Sequence, residues 1–487
     1  MANRGEIALR VMRTCRELGI ATAAVYSDID RLSPHVRAAD EAYPIGAASP
    51  GESYLNIERV IAVAKRAGCD AIHPGYGFLS ENAAFADAVA AAGIAFVGPP
   101  GAVQRALGEK TSARRLAAKA GVPVAEGTME PLRDEADALA VATRIGFPVL
   151  LKPAGGGGGK GMRVVRSAAE LPASWRASTG EATTAFGAPA LLMERLIQPA
   201  RHVEVQILAD AFGQVVWLGE RDCSIQRRHQ KLIEETPGPS VDDALRAKLG
   251  AAAVQVASAA KYVNAGTAEF LVAPDGTFVF LEMNTRLQVE HPVTELVTGL
   301  DLVALQLRIA AGERLPFGQD GITRTGAAIE LRITAEDPFA GFLPQGGHVD
   351  FVREPSGPGI RMDSGLAAPV TVPTDYDPLL AKLIAWGPDR ATAIARARRA
   401  AREMIVAGLP TSLPFHSFVL AEPGFLSGRY DTDYVATHWT RPRPPEVGEG
   451  AAVAAALAGI ARLRARPRPT VSAASPWSRS AREDMLR

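Results

Sequence analysis

The stretch FLEMNTRLQVEH, Phe280 to His291, alternates polar and apolar residues. Successive side chains of an extended strand point to opposite faces, so Glu282, Asn284, Arg286, Gln288 and Glu290 share one side. Leu281, Met283, Leu287 and Val289 share the other, which suits a core. A second carboxylate precedes it in TAEFLVAPDGTFVFLE, Thr267 to Glu282. Reversal at Asp275-Gly276, a strong two-residue hairpin signal, places Glu269 directly opposite Glu282. Like charges facing each other across a hairpin destabilise it, so a cation is expected between them. Two carboxylates and an amide oxygen suit a hard ion such as Mg2+. Arg286 and Glu290 would then lie beyond the metal, where a substrate can sit. The same alternation also fits the solvated face of an antiparallel sheet, and the other motifs decide between the two.

The chain has 487 residues, which predicts roughly two or three domains with sizeable cores. Its 47% hydrophobic and 22% charged content is that of a globular protein. A formal net charge of +0 argues against a nucleic-acid or membrane-surface role driven by bulk charge. The N-terminus MANRGEIALRVMRTC has no apolar signal core. The most apolar run, Ala451 to Ala461, is well short of the roughly 20 residues that span a bilayer. Cys15, Cys69 and Cys223 show no metal-ligand spacing. These features predict a cytoplasmic, reduced protein without structural disulfides. Cys223 reads as a buried thiol, since the sequence places no base beside it.

Residues 1 to about 100 alternate helix and strand. Glu6 to Leu18 is amphipathic and Ala21 to Tyr26 is β-rich. Asp70 to His73 leads into the loop PGYGFLSEN. Asn82 to Ala92 is helical with Ser80 as its N-cap, and Ile94 to Val97 is a short strand. This grammar predicts a parallel sheet with helices on its faces. Residues 101 to 125 form a helical connector. The strand IGFPVLLKP enters a glycine run and GMRVV leaves it, and residues 190 to 310 are β-rich. A further block from 326 to about 440 opens with GAAIELRI and contains YDPLLAKLIAWG. Beyond 441 an Ala, Pro and Arg composition predicts a linker or poorly ordered tail over 441–487.

The run GGGGGKGM, Gly155 to Met162, reads as a phosphate loop, because glycines let backbone N–H groups approach phosphate oxygens. It is not a Walker A loop: Gly161 follows Lys160, and Ala154 stands where the first glycine should be. Strand, glycine turn and returning strand make a flap that can close over phosphates, against the alternative of a surface loop. Lys152 precedes the flap and Lys110 lies in GEKTSAR; solvated surface lysines are the alternative. MERLI, Met193 to Ile197, offers a backbone edge for a base, with Glu194 in an apolar run. RHVEVQILAD and ERDCSIQRRHQKLIEE add His202, Gln226, His229 and Lys231.

Taken together, ANRGEIA, HPGYGFLSEN, KPAGGGGGKGMRVV, ERDCSIQRRHQK and EMNTRLQVEHPVTE resemble the biotin carboxylase family of ATP-grasp ligases over residues 2 to 440. The resemblance implies an α/β and α+β multidomain fold. Its parts are a Rossmann-like N-terminal domain over 1–105, an ATP-grasp domain over 106–313 with a mobile lid at about 125–197, and a C-terminal carboxylase domain over 326–440. Lys110 and Lys152 correspond to phosphate-contacting lysines, and Gly158 and Gly159 to the lid loop. Glu194, Arg195, Leu196 and Ile197 correspond to the adenine hinge, and His202, Gln226 and His229 to nucleotide contacts. Glu269, Glu282 and Asn284 correspond to the metal set. Lys231, Arg286, Gln288, Val289 and Glu290 correspond to the bicarbonate site, with Arg332 and Tyr76 beside the biotin pocket.

The cofactors implied are ATP, Mg2+ or Mn2+, and biotin on a partner carrier protein. Glu290 is the implied general base on bicarbonate, which attacks the γ-phosphate with two metal ions on the phosphates. Carboxyphosphate then releases CO2 and phosphate, the phosphate takes the biotin N1′ proton, and Arg286 stabilises the enolate. A closed lid keeps water from carboxyphosphate. Only Met1 and Ala2 precede Asn3, so the first strand usual in the family is expected to be missing. The tail SPWSRSAREDMLR resembles a linker toward a carrier domain, yet no Met-Lys-Met site follows. The carrier and carboxyltransferase of an acetyl- or propionyl-CoA carboxylase are therefore expected to be separate proteins, and this chain a homodimer. The alternatives are another ATP-grasp ligase of the carbamoyl-phosphate type, or an inactive scaffold subunit.

Overall fold

The hairpin around Asp275 is formed, but by a different route from a two-residue turn. In the computed structural model, which describes residues 1–154, 161–186 and 190–440, strands Asn264–Val272 and Phe278–Asn284 pair antiparallel. Ala273 N–H donates to Thr277 O at 2.8 Å, so the loop is Pro274-Asp275-Gly276, with Gly276 at φ 81°. That loop shifts the register by one residue, pairing Phe270 with Phe280. A bulge then skips Leu281 and restores it, and Glu269 stands opposite Glu282.

The hairpin is one edge of an eight-stranded sheet. Its order is Phe278–Asn284, Asn264–Val272, Arg201–Ala209, Val215–Arg227, Gln230–Thr236, Ala327–Thr334, Leu379–Gly387 and Ile360–Ser364, all antiparallel. The pairing of Gln230–Thr236 with Ala327–Thr334 joins the middle of the chain to its C-terminal part. Helix Asp243–Ala259 covers Val203, Val205 and Ile207 at one end. Helix Arg390–Glu403 covers Ile329, Leu331 and Leu383 at the other. Each such aliphatic side chain contributes about 1.5–3 kcal/mol on burial.

The N-terminal part holds two parallel strand pairs, Ala23–Ser27 with Glu41–Gly46 and Ala71–Ile72 with Ala95–Phe96, with helices Gly5–Glu17, Ile57–Arg66 and Ala83–Ala91. The Met1 amine donates to Ala23 O at 2.6 Å and Ala2 N–H to His73 O at 3.0 Å. The first two residues thus lie between the two strand pairs. Ser80 does not cap the helix at Ala83; Asn82 does, accepting from Phe85 N–H at 3.0 Å. Ser80 sits too early, its Oγ buried without a hydrogen-bond partner.

Val149–Pro153 pairs antiparallel with Arg163–Val165 and with Leu191–Arg195, and helices Glu135–Ile145 and Leu171–Phe186 join it in a core of its own. The entering and returning strands of the flap are present, and the glycine run 155–160 between them lies outside the described residues. Gly158, Gly159 and the tail 441–487 lie outside the described residues. No described helix is long and apolar enough to cross a membrane. Cys15, Cys69 and Cys223 are free, and Cys15 and Cys223 are buried.

Candidate functional site

The sheet register aligns four charged residues across four strands: Glu282 opposite Glu269, Glu269 opposite Glu204, Glu204 opposite Arg221. Arg221 is fully buried and donates to Glu204 Oε1 at 2.5 Å, Gln206 Oε1 at 2.8 Å, Thr294 Oγ1 at 2.9 Å and Thr267 Oγ1 at 3.1 Å. Lys231 Nζ lies at the centre, 2.5 Å from Glu204 Oε2, 2.9 Å from Glu269 Oε1 and 2.8 Å from Glu290 Oε1. His202 Nε2 stands 3.1 Å from Glu269 Oε2, and Lys110 Nζ 3.3 Å from Glu282 Oε2. Side-chain cations thus stand beside each of the two facing carboxylates.

Burial alone would raise these carboxyls, but the cations outweigh it. Lys231 and His202 hold Glu269 below the carboxylate range. Lys231, Arg332 and Arg221 hold Glu290 well below it. Burial would likewise lower Lys231 and His202, but the glutamates around them raise both.

The strand predicted through His291 ends at Asn284. Thr285 N–H leaves the ladder and donates to Glu81 Oε1 at 3.0 Å, in the loop HPGYGFLSEN. The same Glu81 takes Arg286 Nε at 2.9 Å. Arg286 also donates to Gln288 Oε1 at 2.7 Å and Asn284 Oδ1 at 3.3 Å, so the polar set stays together although its backbone is a loop. Glu290 occupies the N-cap position of helix His291–Thr298 without capping it by its side chain. Its carboxylate instead bridges Lys231 and Arg332, the latter at 2.9 Å from Nη2. Arg332 Nε also donates to Glu234 Oε1 at 2.6 Å.

Val289 contributes its carbonyl, which accepts from Lys382 Nζ at 2.9 Å. The Tyr76 ring lies beside that lysine, its centroid 5.7 Å from Nζ and its Oη buried without a hydrogen-bond partner. Gln226 Nε2 contacts His202 Nδ1 at 3.2 Å. His229 sits in the two-residue turn Arg228-His229, with φ 48° and 67°. A type I′ turn needs two positive φ values and normally takes Asn-Gly, so two bulky residues there are strained. Burial, then the charges of His202, Lys110 and Lys152, lower the His229 pKa. These side chains form one electropositive corner beside Glu282.

Glu194 anchors the lysine of the flap strand. It is paired with Lys152 and, at 2.7 Å, with Arg114 Nη1. Arg195 turns outward to Glu126 at 2.9 Å, and Leu196 N–H donates to Pro148 O at 3.1 Å. Arg195, Leu196 and half-buried Ile197 are not brought against Glu290; they close the end of the three-stranded sheet.

Sequence reasoning missed Glu204, Arg221, Glu81, Glu234 and Arg114. Glu204 was within reach: RHVEVQ alternates His202, Glu204 and Gln206 on one face. Among the described residues, His202, Glu204 and Glu269 bring ligand atoms within 4.8 Å, as do Glu204, Cys223 and Glu290. Lys231 and Arg221 already neutralise both groups. Glu269 and Glu282 offer carboxylate oxygens, Asn284 turns its Nδ2 to Glu269 Oε1 at 2.8 Å and its Oδ1 to Arg286, and the Glu282 side chain is 36% exposed, open to an incoming ion. That donor set fits a hard divalent cation.

Fold and site define a ligase of the ATP-grasp kind. Residues 1–103 match the family model for the biotin carboxylase N-terminal domain, 109–317 that for the carbamoyl-phosphate synthase L chain ATP binding domain, and 330–437 that for the biotin carboxylase C-terminal domain. The chain belongs to the biotin carboxylase family. It is 52% identical over 435 residues to a biotin carboxylase of Nostoc sp., covering 89% of this chain and 97% of that relative. The crystal structure of a biotin carboxylase–β,γ-ATP complex from Campylobacter jejuni superimposes with TM-score 0.87 at 45% identity, covering 90% of this chain and 98% of that one. The biotin carboxylase domain dimer of 2-oxoglutarate carboxylase from Hydrogenobacter thermophilus, with MgADP, ADP and bicarbonate, also gives 0.87, at 44% identity over 90% and 96%.

Proposed function

We propose that this chain carboxylates biotin with bicarbonate at the expense of ATP, the biotin being carried on a separate protein. The observation that supports it most is Glu290, gripped between Lys231 at 2.8 Å and Arg332 at 2.9 Å beside the Arg286–Gln288 pair. Two cations and a carboxylate form a receptor for a small anion that must lose a proton. At rest the cations keep Glu290 ionised. Entry of bicarbonate and nucleotide brings negative charge that competes for Lys231 and lifts Glu290 toward useful basicity.

Glu290 then takes the bicarbonate proton, and a bicarbonate oxygen attacks the γ-phosphorus as ADP leaves. Carboxyphosphate breaks its C–O bond to give CO2 and phosphate. The phosphate takes the biotin N1′ proton, Arg286 stabilises the enolate oxygen, and the nitrogen bonds to CO2. Lys110, Lys152, His202, Gln226 and His229 bind nucleotide, with residues 194–197 at the base and Gly158 and Gly159 over the phosphates. Glu269, Glu282 and Asn284 hold Mg2+ or Mn2+; when bound, these ions neutralise phosphate charge during transfer. Tyr76 and Arg332 flank biotin.

The domain limits proposed are 1–105, 106–313 with a lid at about 125–197, and 326–440, with 441–487 as linker. The lid reading is supported by the separate core around Val149, Leu151 and Met193. The expected setting is the cytoplasm, as a homodimer working with a biotinylated carrier and a carboxyltransferase in an acetyl- or propionyl-CoA carboxylase. The test is ADP release with Mg2+ and bicarbonate, with and without free biotin. Stimulation by biotin is expected. Turnover that needs bicarbonate but ignores biotin would overturn the reading in favour of a carbamoyl-phosphate-type ligase.

A further inference from the structure

Behind Arg332 lies a second pair of facing carboxyls that the chemistry above does not use. Glu234 and Glu330 are direct cross-strand partners in strands Gln230–Thr236 and Ala327–Thr334, and both are fully buried. Directly opposite residues point to the same face, with Cβ atoms about 5 Å apart. Arg332, two residues beyond Glu330, binds Glu234 Oε1 at 2.6 Å and Glu290 Oε2 at 2.9 Å. Both oxygens of Glu330, and Oε2 of Glu234, have no hydrogen-bond partner.

The nearby cation is committed elsewhere. Lys382 lies opposite Arg332, but its Nζ reaches Val289 O at 2.9 Å, Glu6 at 3.3 Å and Asp363 at 3.8 Å. An unpaired buried carboxylate is too costly to persist, and a neutral acid still needs an acceptor.

We propose that Glu330 and Glu234 share one proton, and that this pair positions Arg332 against Glu290 in the reaction proposed above, on which this role rests. Glu330 O–H donates to Glu234 Oε2, and Oε1 of Glu234 holds Arg332. The groups facing the pair are Arg332 on the same strand as Glu330, Lys382 on the next strand, Glu290 at the start of helix His291–Thr298, Lys231 on the strand of Glu234, and the Cys223 thiol on the neighbouring strand Val215–Arg227. Burial pushes Glu234 up to about 7 and Glu330 well above the carboxylate range, in keeping with one retained proton. When that proton leaves at high pH, two facing charges draw Arg332 inward and release Glu290.

Glu330→Gln cannot ionise, and its amide N–H replaces the acid O–H at nearly the same volume. Three measurements test the pair. Infrared spectra of the wild-type chain at mildly alkaline pH are expected to show a protonated carboxylic carbonyl band that Glu330→Gln lacks. The alkaline limb of kcat for biotin-dependent turnover should move up by about one pH unit or more in Glu330→Gln, with activity near neutrality within about threefold of wild type. Glu234→Gln should lower kcat about tenfold with KM for ATP unchanged, because Arg332 loses its anchor and nucleotide contacts do not. Absence of the band, or identical pH profiles for wild type and Glu330→Gln, would overturn the proposal. A wild-type chain that shows the band but no biotin-dependent turnover refutes the functional reading while supporting the shared proton.

Discussion

Lys231 Nζ sits 2.8 Å from Glu290 Oε1 while also holding Glu204 at 2.5 Å and Glu269 at 2.9 Å. One ammonium therefore serves three buried carboxylates. Lys231→Met should destabilise the chain by about 3–5 kcal/mol, because it leaves buried charge unpaired. Turnover should fall as well. The depressed Glu269 and Glu290 contribute stability that is present above the unfolded carboxylate value, about 4.3, and is lost as pH falls toward their lower folded values. Denaturant unfolding at neutral and acid pH checks this: Lys231→Met should lose part of that acid dependence. An unchanged midpoint would show the cluster to be balanced by other groups.

Arg286 is held by Glu81, Gln288 and Asn284, and makes no contact with Lys110, Lys152 or His229 among its hydrogen bonds. Arg286→Ala should reduce biotin carboxylation by about a hundredfold or more, the range of a lost charge stabiliser. Nucleotide binding, read by calorimetry, should persist. Loss of nucleotide binding instead would assign the arginine to the wrong substrate.

Glu282 faces Glu269 and is partly open to solvent. Glu282→Gln removes one of two carboxylate donors. The Mg2+ concentration for half-maximal turnover should rise, with little change in stability because the side chain is partly open to solvent. A Mg2+ dependence identical to wild type would remove Glu282 from the metal set.

Burial pushes His35 down to about 4 and His73 to about 3. Both are neutral in the fold and protonate on unfolding below about 6.5. Their contribution is therefore complete above that value and is lost as pH falls toward the folded values. The raised carboxyls Glu6 and Glu234 run the other way, so the measurement is a difference. Between about pH 7 and pH 5, His35→Gln should lose about 2 kcal/mol less stability than wild type. Equal losses would mean that His35 is not buried neutral.

The alternation of FLEMNTRLQVEH, the reversal at Asp275-Gly276 and the βαβ order of the first hundred residues were legible, because period and turn chemistry are local. Glu269 does face Glu282, yet a loop one residue longer and a compensating bulge at Leu281 produce it; propensity alone cannot foresee two offsets that cancel. The end of the strand at Asn284 depends on Glu81, more than 200 residues away in the chain. Ser80 fits a cap by residue type alone, whereas Asn82 stands at the correct distance from Phe85 N–H. Glu204 and Arg221 escaped notice because their part in the site comes from pairing between strands, not from spacing within one. The Glu234–Glu330 contact lies further still from what sequence can show, since it joins the middle of the chain to its C-terminal part.

The most direct measurement is transfer of labelled bicarbonate to free biotin by the purified chain with ATP and Mg2+, run beside Glu290→Gln. Labelled carboxybiotin is expected from the wild-type chain, with a loss of about a hundredfold or more in Glu290→Gln, the range of a general base. ATP turnover without label on biotin, or undiminished labelling in Glu290→Gln, would contradict the assignment of this site.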